Sequence, residues 1–408
     1  MDRLCIQCRG RGYCGMPCKI LSRIKKSQPK IKTEFSGSSP PEIFVGRNDY
    51  PYVYSGILAP DYMGNTENMS MPEKWYENQD DIEKIMSYRA GMVYSRFKIK
   101  VKNPNSNSSN SIQSKKFLGL LQDIAIASKP IDASFELKRQ PSSKFSLTSH
   151  TPLIGNPAPL KKARLESNLQ VEKKVDYLIN DIDAKSVDSM KELFKSNIPV
   201  SNIIKILSAG LLGLKKQRRM VPTRWAVTAT DDALSKDLLK RIRYHQQISE
   251  ILLFNGNYLG NYYEVLLLPG EFGFEVLEMA ETGGVWNPET TAIWHDYEFF
   301  GGRKEYASNV TGGYYAVRLP ITEYLEKIKR QATIIIFREV RKEYWAPCGV
   351  GILRELMRGI LKQQPERFST IQEAFAKMQT RFKSPIQNYT TKSILLKRKK
   401  EQRQLFDF

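Results

Sequence analysis

The sequence predicts an α+β protein, a mostly antiparallel sheet with packed helices, preceded by a small N-terminal four-cysteine zinc knuckle. Three observations predict it. Segments of helical period and segments of strand character come in runs, the order expected of an α+β fold. The strand-like stretches after Ile248 are separated by Asn-Gly-Asn and Pro-Gly, turn signals that join antiparallel neighbours. Four of the five cysteines fall within the first 18 residues, at a spacing suited to one metal ion.

Composition bounds the partners. At 408 residues and 41% hydrophobic, the chain can bury a sizeable core and divide into two or more domains. Lys and Arg number 63 against 43 acidic residues, a formal charge of +20. Such a surplus points to a polyanion: nucleic acid first, an acidic membrane surface second. No segment reaches the roughly 18 uninterrupted apolar residues of a membrane span. The best candidate, Ile203 to Leu214, is short and carries Lys205. The opening MDRLCIQCRG has no signal-peptide apolar core, so a cytoplasmic protein with reduced thiols is expected.

The elements follow in order. Cys5, Cys8, Cys14 and Cys18 read as C-x₂-C-x₅-C-x₃-C, with Gly10, Gly12 and Gly15 supplying tight turns. Four thiolates suit tetrahedral Zn²⁺ and leave no open position, so its role is structural; an iron–sulfur cluster is the alternative. Residues 1–24 form this knuckle and 25–41 have the composition of a linker. A larger N-terminal body region, 42–285, opens with the strand Glu42 to Arg47 and the aromatic run Tyr50-Pro51-Tyr52-Val53-Tyr54. Asp80 to Arg96 reads as one helix, and Asn103 to Asn110 as a loop insertion. Helices follow at Asn168 to Ile179, Ser186 to Lys195 and Val200 to Leu212. A basic turn, Lys215 to Arg219, then feeds a strand over Val221 to Thr228, and Asp231 caps a helix from Leu234 to Gln247. Ile251 to Phe254, Tyr262 to Leu268 and Phe272 to Met279 read as an antiparallel meander. A smaller C-terminal region, 286–391, holds the aromatic stretch Trp286 to Tyr315 and a helix from Pro320 to Arg330 with proline in its first turn. It continues with a buried strand, Ala332 to Val340, and helices at Gly351 to Lys362 and Ser369 to Arg381. Residues 392–408 form a basic tail.

Catalytic constellations are sparse. There is no phosphate-binding P-loop and no dinucleotide fingerprint. His150 sits in a polar loop, His245 on a basic helix, and His295 beside Asp296, where adjacency along a strand does not make a dyad. Cys348 precedes a predicted helix start, with His295 as its one candidate partner; a small buried cysteine is the plainer reading. Asp231, Asp232, Glu264, Glu271, Glu275 and Glu278 could serve a metal-dependent nuclease only if some of them converged. No catalytic residue is assigned. The basic clusters carry more: Arg218, Arg219 and Arg224 flank Trp225, and Lys240, Arg241 and Arg243 follow on a helix. Cations pair with phosphates and aromatics stack on bases, which makes these seven the candidate nucleic-acid face.

Gln402, Leu405 and Phe408 close the chain at i, i+3 and i+6, one face of a 3₁₀ turn. An amide, an aliphatic plug and an aromatic ring on one face form an anchor for a hydrophobic groove. The stretch resembles the Gln-x-x-aliphatic-x-x-aromatic box by which replication and repair proteins hold the sliding clamp (PCNA). With the cysteine knuckle at the other end, and Phe44-Val45-Gly46-Arg47 and Val221-Pro222-Thr223-Arg224-Trp225 between, the chain resembles the archaeal Nre family of DNA-repair proteins. The resemblance implies a DNA-damage factor that binds DNA and is recruited by the clamp. It makes Cys5, Cys8, Cys14 and Cys18 the zinc ligands and Gln402, Leu405 and Phe408 the clamp anchors. The alternatives are a clamp-tethered enzyme acting on nucleic acid or nucleotide, and an RNA-binding zinc protein.

Overall fold

The structure, a computed structural model, describes residues 18–25, 28, 32–101, 111–143, 145, 147, 148, 150–282 and 292–406. Cys5, Cys8, Cys14, the stretch Asn103 to Asn110 and Phe408 lie outside the described residues. The fold is a mixed α+β one, in two compact units: Arg9–Leu234 with Pro347–Gly351, and Ser235–Ala346 with Ile352–Phe408.

In the first unit, α1 (Lys19–Lys25) is followed by β1 (Glu34–Ser39), β2 (Glu42–Val45), β3 (Tyr52–Pro60), α2 (Pro72–Glu77), α3 (Ile82–Ala90) and β4 (Met92–Lys100). Then come α4 (Ile112–Ile126), β5 (Ile131–Leu137), β6 (Pro157–Leu165), α5 (Lys173–Asn180), α6 (Ser186–Lys195) and α7 (Val200–Ser208). Helix α8 (Thr223–Ile242) carries the chain across the unit boundary. The sheet runs β1-β5-β6-β4-β3-β2, antiparallel except between β4 and β6. Val53, Phe97 and Ile99 share a core with Phe117, Leu118 and Leu121 of α4.

The second unit holds β7 (Gln246–Gln247), β8 (Ile251–Tyr258), β9 (Asn261–Leu268), β10 (Gly273–Ala280), β11 (Trp294–Glu298), α9 (Gly312–Ile328), β12 (Arg330–Gln331) and β13 (Thr333–Val340). It ends with α10 (Gly351–Ile360), β14 (Glu366–Phe368), α11 (Ile371–Gln379), α12 (Ile386–Thr390) and α13 (Ile394–Phe406). Its main sheet runs β11-β10-β13-β9-β8-β14, with β10 and β13 parallel. No helix among the described residues is long and apolar enough to cross a membrane.

Several expectations are corrected. The stretch with linker composition contains β1, which pairs with β5 along six residues. Its small side chains are a packing requirement: a Cβ on Gly37 would overlap the Pro60 carbonyl oxygen. The helix expected over Asp80 to Arg96 stops at Gly91, where the period changes to the alternation of β4. Val221 to Thr228 is not a strand. Pro222 stands just before the first turn of α8, and Asp231, expected as a cap, lies buried inside it. The β-branched residues there pack on a helix face, so tertiary burial overrides propensity. The meander is interrupted: β13 inserts between β9 and β10. Its run Ile334-Ile335-Ile336-Phe337 is covered on both faces, the pattern of a central strand. Helix α9 begins at Gly312, which places Pro320 in its interior.

Buried charge ties the first unit together. Arg89, fully buried at the end of α3, donates from Nη1 to Glu42 Oε1 at 2.9 Å and from Nε to the Leu153 carbonyl at 3.0 Å. Lys205 of α7 lies 3.5 Å from Glu42 Oε2. One carboxylate thus links β2, α3 and α7. Removing one partner of a buried pair leaves an uncompensated charge, so Arg89→Ala is expected to cost about 3–5 kcal/mol. Urea unfolding of the variant checks it; a midpoint within error of the parent's would refute the role.

Candidate nucleic-acid interface

The β3–β4 pairing sets Tyr52 opposite Lys100, Tyr54 opposite Lys98 and Gly56 opposite Arg96. Strand alternation places these six positions on one face and Val53, Phe97 and Ile99 on the other. The outer face is open: Tyr52 is 44% exposed and Tyr54 41%. Lys100 Nζ lies 5.4 Å from the Tyr52 ring centre, and Arg96 Cζ 4.2 Å from that of Tyr54, within cation–π range. Gly56 is needed here, because a Cβ would sit 2.2 Å from the Ser95 carbonyl oxygen. The missing side chain also leaves room for Arg96 to lie across Tyr54. Trp225, 44% exposed at the start of α8, packs against Tyr50 with ring centres 5.3 Å apart.

Beside this face is a cavity of about 450 Å³. The Val45 N–H donates to Thr223 Oγ1 at 2.9 Å, which joins the end of β2 to the start of α8. That contact brings Arg47 and Arg224, distant in sequence, to the same cavity, where Arg96 and Arg139 join them. Tyr94 stiffens the wall: it is buried, its hydroxyl donates to the Tyr54 carbonyl at 2.9 Å, and its ring meets Phe44 edge-on. Burial pushes its phenol well up, so it stays neutral. No aspartate or glutamate among the described residues lines the cavity. Among the described residues Arg96 has no ion-pair partner, and its enclosed Nε has no acceptor. Guanidiniums gathered at one cavity repel one another unless an anion lies between them. A cavity lined by four guanidiniums and, among the described residues, by no carboxylate is suited to an anion.

The seven basic and aromatic residues expected to bind nucleic acid divide. Arg224 lines the cavity, and Trp225 stands beside Tyr50. Arg218 is engaged structurally, donating to the carbonyls of Gly213, Ile179 and Asp181 at 2.7, 2.7 and 2.6 Å. Arg219 and Lys240 are exposed. Arg241 pairs with Glu326 at 3.1 Å and Asp237 at 3.7 Å. Burial opposes ionisation of Glu326, but hydrogen bonds from Lys329, His245 and Arg241 prevail and hold its carboxyl down to about 2. Arg243 lies 5.5 Å from the Phe300 ring centre. Lys240, Arg241 and Arg243 belong to the second unit, Arg224 and Trp225 to the first. Sequence reasoning missed Arg47, Tyr52, Tyr54, Arg96, Lys98, Lys100 and Arg139. The signal was present in Arg96-Phe97-Lys98-Ile99-Lys100, which alternates cation and apolar residue at the strand period.

The remaining candidates have structural surroundings. His150, expected in a solvated loop, is buried, and so is Cys348, whose thiol burial pushes well up. Cys348 and His295 belong to different units. His295 Nδ1 lies 3.7 Å from Glu275 Oε1. Glu275, fully buried, accepts from the Ser393 hydroxyl and from the N–H groups of Ile394 at 2.8 Å and Leu395 at 3.2 Å. It caps α13. Among the described residues, no three of His, Cys, Asp and Glu are grouped so as to hold a metal ion. Cys18 directly precedes α1, and its sulfur accepts from the Leu21 N–H at 3.5 Å. Gln402 and Leu405 lie on α13, an α-helix through Phe406 and not a 3₁₀ turn; Phe408 falls outside the described residues.

Comparison with known proteins completes the picture. The family model described as archaeal Nre, N-terminal, matches residues 10–287, and that of archaeal Nre, C-terminal, matches 298–408. The DNA repair protein NreB of Archaeoglobus fulgidus is 32% identical over 411 residues, 99% of each chain. The DNA repair protein NreA of the same organism is 32% identical over 372 residues, 91% of each. NreA of Haloferax volcanii is 33% identical over 353 residues, 83% of this chain and 82% of its own. No solved structure matches the chain. With both family models aligned in order and relatives matched over nearly its whole length, the chain belongs to the archaeal Nre family.

Proposed function

We propose that this protein is a DNA-repair factor that binds a DNA strand on the β3–β4 face and is recruited by the sliding clamp through its C-terminal peptide. The names of its relatives supply the repair role. One observation carries the DNA contact: Tyr52 and Tyr54 stand exposed with Arg96, Lys98 and Lys100 around their rings, next to a cavity that no carboxylate lines among the described residues. Exposed rings stack on unpaired bases, and the cations between them follow the backbone. A single strand fits such a face better than a duplex, whose bases are already stacked.

The expected outcome is tighter binding of single-stranded than duplex DNA of equal length, read by fluorescence anisotropy at stated salt. Lys98→Glu with Lys100→Glu should weaken single-strand binding about tenfold or more and lower the log–log salt slope by about 1.4, roughly 0.7 for each lost phosphate contact. An unchanged affinity and slope would refute the face. Equal or tighter binding of the matched RNA would replace DNA by RNA as its partner.

The clamp contact rests on Gln402, Leu405 and Phe408. Support comes from the anchoring of α13: Glu275 caps it and Leu395 and Leu396 are buried, so the helix that carries Gln402 and Leu405 starts from a fixed base. The basic run Lys397-Arg398-Lys399-Lys400 favours approach to an acidic partner. Calorimetry against an archaeal clamp should show binding that vanishes when Gln402–Phe408 is deleted; retained heat would exclude the peptide as the tether.

Cys5, Cys8, Cys14 and Cys18 are proposed as ligands of one structural Zn²⁺. The position of Cys18 before α1, with its sulfur accepting a backbone N–H, supports this, since ligating sulfurs are held by such donors. Atomic emission should find one zinc per chain, lost in Cys5→Ser with Cys8→Ser. Iron in its place would establish the cluster, and no metal at all would end the proposal.

A further inference from the structure

We propose that the cavity lined by Arg47, Arg96, Arg139 and Arg224 binds a phosphate monoester on a nucleotide, the phosphorylated end of the strand that lies on the β3–β4 face. The inference deepens the DNA-binding reading and rests on it. The four guanidiniums come from four separate places: the end of β2, β4, the segment after β5 and the first turn of α8. Arg47 and Arg139 are exposed, and among the described residues neither has an ion-pair partner. Arg96 brings an enclosed Nε–H with no acceptor. An unsatisfied donor of this kind is costly unless a ligand oxygen completes it.

Charge and shape narrow the ligand. A phosphate monoester carries close to two negative charges near neutral pH, against one for an internal phosphodiester, and offers three oxygens to the planar forks of arginine. Arg47, Arg96 and Arg139, with no ion-pair partner among the described residues, match the higher charge. The cavity also has an apolar wall that includes Phe44 and Phe145, against which a base or sugar can lie. Its volume, about 450 Å³, is at the lower end of the roughly 300–1,000 Å³ range of small-molecule sites, suited to one nucleotide and not to a length of strand. Continuity decides the orientation. Tyr54 and Arg96 belong both to the open face and to the cavity lining, so a strand lying across Tyr52 and Tyr54 ends in the cavity.

The test uses the full chain and three single-stranded oligonucleotides of one sequence: 5′-phosphorylated, 3′-phosphorylated and hydroxyl at both ends. Free AMP serves as competitor. One phosphorylated end is expected to bind about tenfold or more tighter than the hydroxyl form, the scale of an added charge-assisted contact. AMP should remove that increment. Arg47→Ala with Arg139→Ala should abolish the preference; both side chains are exposed, and an unchanged thermal melt shows that the fold persists. Lys98→Glu with Lys100→Glu should instead weaken all three oligonucleotides together. If DNA binds with no preference for a phosphorylated end, the cavity proposal falls and the face stands. If no DNA binds but AMP does, in a manner lost in Arg47→Ala with Arg139→Ala, the strand end is overturned as the source and the site belongs to a free nucleotide.

Discussion

The antiparallel pairing of β3 with β4 is the constraint on which the rest of the first unit depends. Its nine-residue register places Val53, Phe97 and Ile99 in the core and Tyr52, Tyr54, Lys98 and Lys100 in solvent. A slip of one residue would exchange the two sets, bury Lys98 and Lys100 and expose the core. Burying a charge without a partner costs several kcal/mol, so the register that makes the fold stable is also the one that makes the face. Gly56 belongs to the same constraint: the strands come too close at that point for any side chain.

The cations of this basic chain fall into two kinds. Arg89, Arg218, Arg318 and Arg338 are held by carboxylates or carbonyls within hydrogen-bond distance and serve the fold. Arg318 shows how complete that engagement is: fully buried, it contacts both oxygens of Glu298 at 2.9 and 3.1 Å. Arg47, Arg96 and Arg139 have no such partner among the described residues. A net charge of +20 says that some cations lack acids. Where the unmatched ones collect is the informative quantity, and several of them collect at one cavity.

A similar economy governs the carboxylates that looked available for chemistry. Glu275 caps α13 and Glu278 holds Arg338. Glu264, deeply buried, has its carboxyl pushed up to about 8 by desolvation against the pull of Arg381, 2.8 Å away. Each is tied to a local structural need. Glu275 matters most for function, since the cap it supplies fixes the base of the helix leading to the proposed clamp peptide.

By itself, the sequence determined the α+β class, most helices and strands, the basic surplus, the cysteine spacing and the terminal anchor pattern. All of these are local: period, turn residues and short spacings are written within a few neighbours of each other. Residue identity also carried the family, through motifs of which Phe44–Arg47, Val221–Trp225 and Gln402–Phe408 fall within the matched regions. Only the tertiary structure decided which cations are available. Arg218 and Arg241 read the same as Arg47 and Arg96 in sequence. The difference lies in partners 5, 37, 39 and 85 residues away that occupy the first pair and leave the second open. The cavity has the same origin: Thr223 bonds to Val45 across 178 residues and brings two short motifs to one place. No local pattern encodes a contact of that range, because it arises when a strand end and a helix start pack on the same core.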